Sequence, residues 1–315
     1  MKEYGGYIEL DRYSLPMLHE QALLLNCGRN CLGYLIKARN IKKLKLPYFI
    51  CDSVTGLCEK YGVSVQFYHI GEDFQPEEVR LDTDEWLYVV NYYGQLTNAR
   101  LKALKERYQR VIIDNAQAYF EAPLPETDTL YTCRKFFGVA DGGILYTNAH
   151  LQEELEQDIS FERMNFLLGR FEKTASEFYN EYVANNHAFA DEPIKKMSKL
   201  TKNLLHGIDY EKIKKQRTEN FSAYHEKLKN KNKLNLQISE GAFAYPLWLE
   251  NGAEVRKALQ KQKIYIPMLW PSVLNLDGSD ATERSFAENI LPLPVDQRYS
   301  AEDTKIILNT LTNFI

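Results

Sequence analysis

Apolar and polar positions alternate along the first half of the chain in a pattern that predicts strands separated by helices. Apolar runs end in polar residues at 47–53, 91–94 and 114–117. Helical periodicity lies between such runs, for example over 29–39, where the helix is predicted to start at Gly28. Strands alternating with helices form a mostly parallel sheet covered on both faces. We therefore expect an α/β fold whose three polar run ends share the carboxyl edge of the sheet, where ligands bind.

Beyond residue 148 the pattern changes to longer, charged helical segments. It predicts helices over 150–158 and 161–183, a loop over 184–193, and a helical stretch over 194–228 that breaks near Gly207. The remaining elements are short: apolar runs at 242–250, 263–270 and 290–295, and helices over 253–262 and 301–315.

This change of pattern predicts two domains of unequal size. We expect a large domain over 1–205, in which 151–195 form a helical insertion, and a small α+β domain over 206–315. A length of 315 residues exceeds the usual size of one domain and allows a large core.

Composition and charge limit the class of protein. A hydrophobic content of 44% with 26% charged residues is typical of a globular protein. The net charge of -4 argues against nucleic acid or an anionic membrane as the main partner. No apolar run approaches the roughly 20 residues of a membrane span, and the start MKEYGGYIEL lacks the blocks of a signal peptide. We therefore expect a cytoplasmic protein.

The cysteines and histidines do not form a metal-binding pattern. The five cysteines are odd in number and lack paired C-x-x-C spacing, and the six histidines are scattered. We expect reduced thiols and no metal.

The candidate chemistry lies in the stretch 111–147. It contains two apolar, β-rich runs, 111–113 and 144–146, with Asp114 just after the first and Lys135 on the segment between them. Gly142 and Gly143 precede the second run, where they allow close backbone approach or simply form a tight turn. A strand-end carboxylate, a loop lysine and glycines suit a polar, planar ligand, and pyridoxal phosphate needs all three.

Four landmarks in this order resemble the DegT/StrS-type sugar aminotransferases, which are fold-type I pyridoxal phosphate enzymes. They are VVNYYGQLTNARLKALKERY, IIDNAQA, the seven-residue spacing from Lys135 to Gly142, and the tail ENILPLPVDQRYSAEDTKIILNTL. The resemblance covers nearly the whole chain. It implies a homodimer that transfers an amino group from glutamate or glutamine to a nucleotide-linked keto-sugar, as in amino-sugar or surface polysaccharide biosynthesis.

The resemblance also implies roles for individual residues. Lys135 would bind the cofactor covalently and then act as general base and acid. Asp114 would pair with the pyridine nitrogen, and Gln117 would hydrogen-bond the phenolic oxygen. The phosphate turn at the start of the first helix corresponds to Gly28, Arg29 and Asn30.

The sequence departs from the family at three positions of the expected site. Leu130 occupies the place of a phosphate-binding serine, so Thr132 or a neighbouring residue would have to replace it. Cys51 stands where an aromatic ring commonly stacks on the cofactor, and Arg29 replaces a small hydroxyl residue. The phosphate side and the stacking side of the site therefore differ from the family more than the side that carries Asp114 and Lys135.

The resemblance indicates substrate residues as well. Tyr93 and the loop 270–273 would line the sugar site. Asn185, Asn186 and Lys196 are candidates for reaching into the pocket of the partner in a dimer.

Two alternatives remain open at this point. One is a pyridoxal phosphate enzyme that eliminates or isomerises, although the family's dehydratases replace the lysine with histidine and this chain keeps Lys135. The other is a cofactor-free binding protein, motivated by Leu130, Cys51 and Arg29. In that case Asp114 would only cap a turn or a helix.

Overall fold

A seven-stranded sheet forms the centre of the protein in the computed structural model, which describes residues 4–315. Its strands are β1 (Leu23–Leu25), β2 (Lys43–Pro47), β3 (Ser64–Tyr68), β4 (Glu85–Val90), β5 (Val111–Asp114), β6 (Asp128–Thr132) and β7 (Gly143–Tyr146). Their spatial order is β1-β7-β6-β5-β4-β2-β3. Strands β2 to β6 pair in parallel, whereas β7 is antiparallel to both β6 and β1.

This topology confirms the predicted, mostly parallel α/β sheet. The central strand β5 is buried along its whole length, with Ile112 and Ile113 fully enclosed, as expected for a strand covered on both faces. Because β2, β4 and β5 run in the same direction, the segments that follow them meet at one edge. Asp114 ends β5 at that edge.

Helices cover the sheet and extend beyond it. They are α1 (Gly28–Ala38), α2 (Asp52–Lys60), α3 (Asn98–Tyr108), α4 (Asn165–Glu172), α5 (Tyr179–Asp191) and α6 (Lys199–Leu205). Helix α1 begins at the predicted Gly28, and the thiol of Cys27 caps it by accepting from the Asn30 backbone N–H. Within residues 4–315, no helix combines the length and apolar character that a membrane crossing requires.

A second, smaller unit contains two antiparallel strands and four helices. It consists of α7 (Tyr210–Leu228), β8 (Ala244–Trp248), α8 (Gly252–Lys261), α9 (Ala281–Asn289), β9 (Ile290–Pro294) and α10 (Ala301–Thr312). This confirms the smaller C-terminal α+β part. One apolar cluster joins both units and includes Ile113 of the large sheet and Leu247 of the small one. The boundary at residue 205 falls at the break between α6 and α7 and stays a prediction.

Long-range pairing overrides the predicted helix over 150–158. This segment is not helical, because the Lys196 N–H donates to the Glu156 carbonyl at 2.8 Å and the Asp158 N–H donates to the Lys196 carbonyl at 2.9 Å. Backbone groups that pair with a distant segment cannot also form a helix. The charged pattern of 150–158 therefore marks an exposed face and not a helix.

The predicted helix over 161–183 is in fact two helices, and the predicted loop over 184–193 is mostly helix. Helix α4 ends at Glu172, and α5 starts at Tyr179 and continues to Asp191. Gly169, the predicted weak point, lies against the ring of Phe178 so closely that a side chain there would collide with it. The chain turns back on itself at this point, and the second helix packs against the first.

Three further elements differ from the prediction. The run at 263–270 forms no strand, and a short 3-10 helix, Pro271–Asn275, follows it. Helix α9 was not predicted, although its capping box of Asp280 and Glu283 is visible in the sequence. Strand β6 was also missed, so three strands lie in the stretch 111–147.

Candidate active site

Asp114 is held at the end of β5 by two hydrogen bonds. The Tyr88 hydroxyl donates to Oδ2 at 2.8 Å and the Ala116 N–H donates to Oδ1 at 2.7 Å. Burial raises the pKa of Asp114, while the charge of Lys135 and these two hydrogen bonds act in the opposite direction. Each carboxylate oxygen keeps a second lone pair, so Asp114 can still accept from a ligand N–H.

Lys135 lies in a turn just after β6, and its Nζ is 5.5 Å from the centre of the Phe243 ring. The side chain is exposed to solvent, yet the protein around it desolvates the ammonium and lowers its pKa. Asp114 and Cys51 are close enough to oppose this shift in pKa. Lys135 thus lies within electrostatic reach of Asp114 and Cys51, and we call the region between these three residues the recess.

The turn that carries Lys135 is fixed by the small unit through a residue that the sequence did not single out. Arg217 of α7 is buried and donates to the carbonyl of Phe136 at 3.1 Å and to that of Ala242 at 2.9 Å. Gln297 donates to the same Phe136 carbonyl at 2.8 Å. Burial lowers the pKa of Arg217 to about 10. No local pattern indicated this role, because the contact joins distant parts of the chain.

Gln117 presents an unused donor on the turn that follows Asp114. Its Oε1 accepts from the Tyr93 N–H at 2.9 Å, whereas its buried Nε2 has no hydrogen-bond partner within residues 4–315. Buried polar groups are almost always paired, so an orphaned amide at this place suits an acceptor atom on a ligand. The contact of Gln117 with a phenolic oxygen stays a prediction, for which this amide is the available donor.

The structure places Tyr93 in the core instead of the sugar site. Its side chain is 0% exposed, and its ring stacks on Phe243 at 6.5 Å between centroids. Its backbone has a left-handed φ of 54° that lets the N–H point at Gln117. Tyr93 therefore positions Gln117, and the prediction that its ring lines a substrate pocket is wrong for this conformation.

The start of α1 lies beside the end of β6. A Cβ built on Gly28 would be 3.3 Å from the Cβ of Thr132, three residues before Lys135. The first-turn N–H groups of a helix attract anions, and the hydroxyl of Thr132 lies near them. Leu130, by contrast, is buried inside the sheet, where it pairs with Asp114 and Leu145.

Asn30 has a structural role in this region. Its side-chain amide donates to Asn26 Oδ1 at 2.9 Å and to the Pro193 carbonyl at 2.8 Å, and its backbone N–H points at the Cys27 sulfur. Its donors are thus engaged by the protein, which ties α1 to the segment after α5. The predicted contact of Asn30 with a cofactor finds no free donor here.

Gly143 explains why a glycine pair precedes β7. A Cβ on Gly143 would collide with the backbone carbonyl of Cys27 and lie 2.8 Å from the Cys31 sulfur. Gly142 adopts a φ of +118°, which favours glycine. The pair therefore lets β7 start directly against the beginning of α1.

Asn185 and Asn186 border the Lys135 segment of their own chain. Asn185 donates to the Ala140 carbonyl at 3.0 Å, and Asn186 accepts from the guanidinium of Arg134. These contacts give both residues a role within one chain, and their predicted reach into a partner stays a prediction. Lys196 faces the outer surface, where it pairs with Glu154 at 3.5 Å.

The loop 270–273 packs against Phe49, which precedes Cys51 by two residues in the chain. Cys51 precedes α2 and accepts from the Ser53 hydroxyl at 3.1 Å. The Trp270 ring meets the Phe49 ring edge-on at 4.5 Å. All five cysteines are free thiols, as predicted.

Comparisons with known proteins identify the fold. No family model and no curated protein matches the sequence. Among solved structures, a DegT DnrJ EryC1 StrS aminotransferase from Brucella abortus is 16% identical, with a TM-score of 0.64 over 93% of this chain and 85% of that one. Sugar aminotransferase CalS13 from Micromonospora echinospora is 14% identical, with a TM-score of 0.65 over 94% of this chain and 88% of that one.

A third structure, NtdA from Bacillus subtilis with bound cofactor PMP, is 13% identical, with a TM-score of 0.67 over 93% of this chain and 72% of that one. The chain therefore has the fold of these aminotransferases, and the expected fold-type I architecture is confirmed. Identities this low establish the fold and leave the chemistry to the residues of the site.

Proposed function

We propose that the protein is a pyridoxal phosphate-dependent aminotransferase that moves an amino group from glutamate or glutamine to a nucleotide-linked keto-sugar. The observation that carries this proposal is the recess shared by Asp114 and Lys135, with the orphaned amide of Gln117 on the adjoining turn. The sugar aminotransferases of the same fold support the substrate class. Amino-sugar or surface polysaccharide biosynthesis in the cytoplasm is the corresponding setting.

The residues of the recess have the chemistry that this cofactor needs. Bound pyridoxal phosphate supplies an electron sink that makes the α-proton of an amino acid removable. Asp114 would hold the pyridine nitrogen in its protonated form, and the Gln117 amide would donate to the phenolic oxygen. Lys135 would hold the cofactor covalently until the donor's amine displaces it.

Lys135 then serves as the proton carrier. The lowered pKa of Lys135 favours the neutral amine. This amine would take the proton from the α-carbon of the donor and then deliver it to the cofactor. The ring of Phe243, which lies 5.5 Å from the Nζ, limits the directions in which the amine can move. The hydrogen bond from Arg217 to the Phe136 carbonyl keeps the turn of Lys135 in place during the transfer.

A second copy of the chain is part of the proposal, because one chain leaves Lys135 exposed. The segment 4–16 runs along the surface, and its large apolar side chains are mostly solvent-exposed, namely those of Tyr7, Ile8, Leu10, Tyr13 and Leu15. Exposed apolar patches of this kind mark interaction surfaces. We propose a homodimer in which the partner covers this segment and closes the recess.

The test begins with the cofactor. Purified protein titrated with pyridoxal phosphate is expected to gain a visible absorption band that borohydride reduction removes. Lys135→Ala should lack the band, and Lys196→Ala, which alters an exposed lysine, should keep it. If the native protein gains no band, the aminotransferase proposal is to be dropped in favour of a cofactor-free binding protein.

A half-reaction separates transamination from elimination. Glutamate or glutamine added to the loaded protein should convert the cofactor to pyridoxamine phosphate and release the keto acid. Labelled glutamate with candidate nucleotide keto-sugars would then identify the acceptor. Formation of a keto or deoxy product without pyridoxamine phosphate would favour the elimination type.

A further inference from the structure

Unused donors are found on Arg29 in the first turn of α1, on Arg134 beside Lys135, and on Arg163, which shares the Phe189 ring with Arg134. The buried Nε atoms of Arg29, Arg134 and Arg163 have no hydrogen-bond partner within residues 4–315, and the same holds for Nη1 of Arg163. Arg29 makes no hydrogen bond or ion pair of any kind in this part of the chain. Guanidinium groups are strong donors, so buried donors without acceptors are unusual.

The three side chains belong to one cluster. The guanidinium carbons of Arg134 and Arg163 lie 4.8 and 5.0 Å from the centre of the Phe189 ring. Arg29 and Arg134 both lie close enough to Cys27, the residue that caps α1, to lower the pKa of its thiol. We call Arg29, Arg134 and Arg163 the arginine cluster.

Negative charge within the protein does not balance the arginine cluster. Arg163 pairs with Asp158 at 2.5 Å, and Arg134 binds the neutral side chain of Asn186. Burial raises the pKa of the Cys27 thiol to about 11, which keeps it neutral. Of three guanidinium charges, only the one on Arg163 therefore has a carboxylate partner.

Asp141, whose charge also acts on Arg134, is already engaged by other groups. Asp141 accepts from the Ser198 N–H and hydroxyl at 2.7 Å each, and from the Thr201 hydroxyl. Like charges held together in a partly buried place are unfavourable unless an anion joins them. The arrangement is thus complete only with a ligand that brings negative charge and several acceptor oxygens.

We infer that the arginine cluster and the first turn of α1 bind a phosphate group. Guanidinium donors and helix-start N–H groups are the protein groups that suit phosphate oxygens. A carboxylate would offer fewer oxygens than the available donors. The inference rests on the proposed function only for the source of the phosphate.

The positions favour the cofactor as that source. Arg134 is the residue before Lys135, and Arg29 follows Gly28, whose Cα lies against Thr132. Arginines would then replace the hydroxyl contact that is lost at Leu130, which faces into the sheet. A diphosphate on the sugar substrate is the second source with the same chemistry.

The test compares pyridoxal phosphate with pyridoxal, which lacks the phosphate. Dissociation constants are measured by absorbance for the native protein, Arg29→Gln and Arg134→Gln, with Arg170→Gln as the control for an exposed arginine of α4. The native protein should prefer pyridoxal phosphate, and each cluster variant should reduce this preference about tenfold or more. Arg170→Gln should not change it.

Binding of inorganic phosphate and uridine diphosphate distinguishes the phosphate of the cofactor from the diphosphate of the substrate. The same measurements include a control for misfolding of the variants. Inorganic phosphate should raise the melting temperature of the native apoprotein, and this rise should shrink in both cluster variants, whose circular dichroism should match the native spectrum. An unchanged preference for pyridoxal phosphate with weakened binding of uridine diphosphate would assign the site to the substrate's phosphate.

The inference is overturned if the variants bind all four compounds as the native protein does. It is also overturned if the native protein responds to none of them. If the native protein binds inorganic phosphate through the cluster but gains no absorption band with pyridoxal phosphate, the proposed function fails and the phosphate site stands.

Discussion

Lys135 and Asp114 influence each other's titration across the recess. Desolvation lowers the pKa of Lys135, and the carboxylate of Asp114 partly reverses that effect. Only the unprotonated amine can attack pyridoxal phosphate, so the pKa of Lys135 sets the pH above which attachment is fast.

Asp114→Asn is therefore expected to shift this pH profile. Removal of the negative charge lowers the pKa of Lys135 further, so the half-maximal rate of attachment should move to lower pH by about one unit. The half-reaction with glutamate should fall steeply in the same variant, because the pyridine nitrogen loses its carboxylate. Stopped-flow absorbance over a pH series measures both, with Glu59→Gln on the exposed face of α2 as control. A profile that does not move would contradict the pairing.

Gly143 gives a second prediction for a single residue. Gly143→Ala forces a methyl group against the Cys27 carbonyl, and we expect a loss of about 1–3 kcal/mol in the free energy of unfolding. Gly138→Ala is the matched control, since a Cβ at Gly138 meets nothing within 4 Å. Urea denaturation compares the two. Equal stability of both variants would show that the atoms around Gly143 move aside at little cost in free energy.

Among the elements, α7 has the greatest influence on the site, because Arg217 connects it to the turn of Lys135. Arg217→Met removes the Arg217 donor from the Ala242 carbonyl and one of the two donors from the Phe136 carbonyl, and we expect a loss of about 2 kcal/mol in the free energy of unfolding. Lys215→Met on the exposed side of α7 should stay within about 0.5 kcal/mol of the native protein.

The free energy of unfolding and the cofactor affinity of Arg217→Met test two different roles of Arg217. Under conditions where Arg217→Met is still folded, its affinity for pyridoxal phosphate should also fall, because the turn is no longer fixed. A variant that is less stable but binds the cofactor normally would limit Arg217 to a packing role.

The sequence predicts an element well when local patterns determine it, and poorly when tertiary contacts do. Strand β5 and the start of α1 at Gly28 are carried by local patterns, and both were found. Strand β6 was missed because its five residues, DTLYT, are too short to show a clear period. The break between α4 and α5 was missed because the contact of Gly169 with Phe178 is a tertiary feature.

The same distinction applies to the site. Asp114, Gln117 and Lys135 were predicted from the resemblance, whose motifs lie within one short stretch of the chain. Arg217 and the pairing of Arg134 with Asn186 link distant segments, and a single sequence contains no signal for such contacts. Tyr93 was placed correctly along the chain, but the direction of its ring depends on the core around it.

At the scale of the whole molecule, the segment 4–16 provides the test of the dimer. It leads directly into Met17, which packs in the same apolar cluster as Phe136 and Phe137 next to Lys135. Exchange of the exposed Tyr7 and Ile8 for serine in one variant should therefore weaken self-association and reduce cofactor affinity together.

Light scattering coupled to size-exclusion chromatography measures the mass of that double variant. The native protein should elute as a dimer, the double variant should shift toward the monomer, and Ile306→Ser on exposed α10 should behave as native. A dimer that persists in the double variant would move the interface elsewhere on the surface.

The hydrogen bonds that Arg217 and Gln297 donate to the turn of Lys135 have a consequence for protein synthesis. Asp114 and Lys135 leave the ribosome early, but the carbonyl of Phe136 receives its donors from Arg217 and from Gln297, which is translated 162 residues after Lys135. A nascent chain that already contains the whole seven-stranded sheet still lacks both donors. The lysine is therefore held in its position only after residue 297 has been translated, and chains stalled before that point should not capture the cofactor.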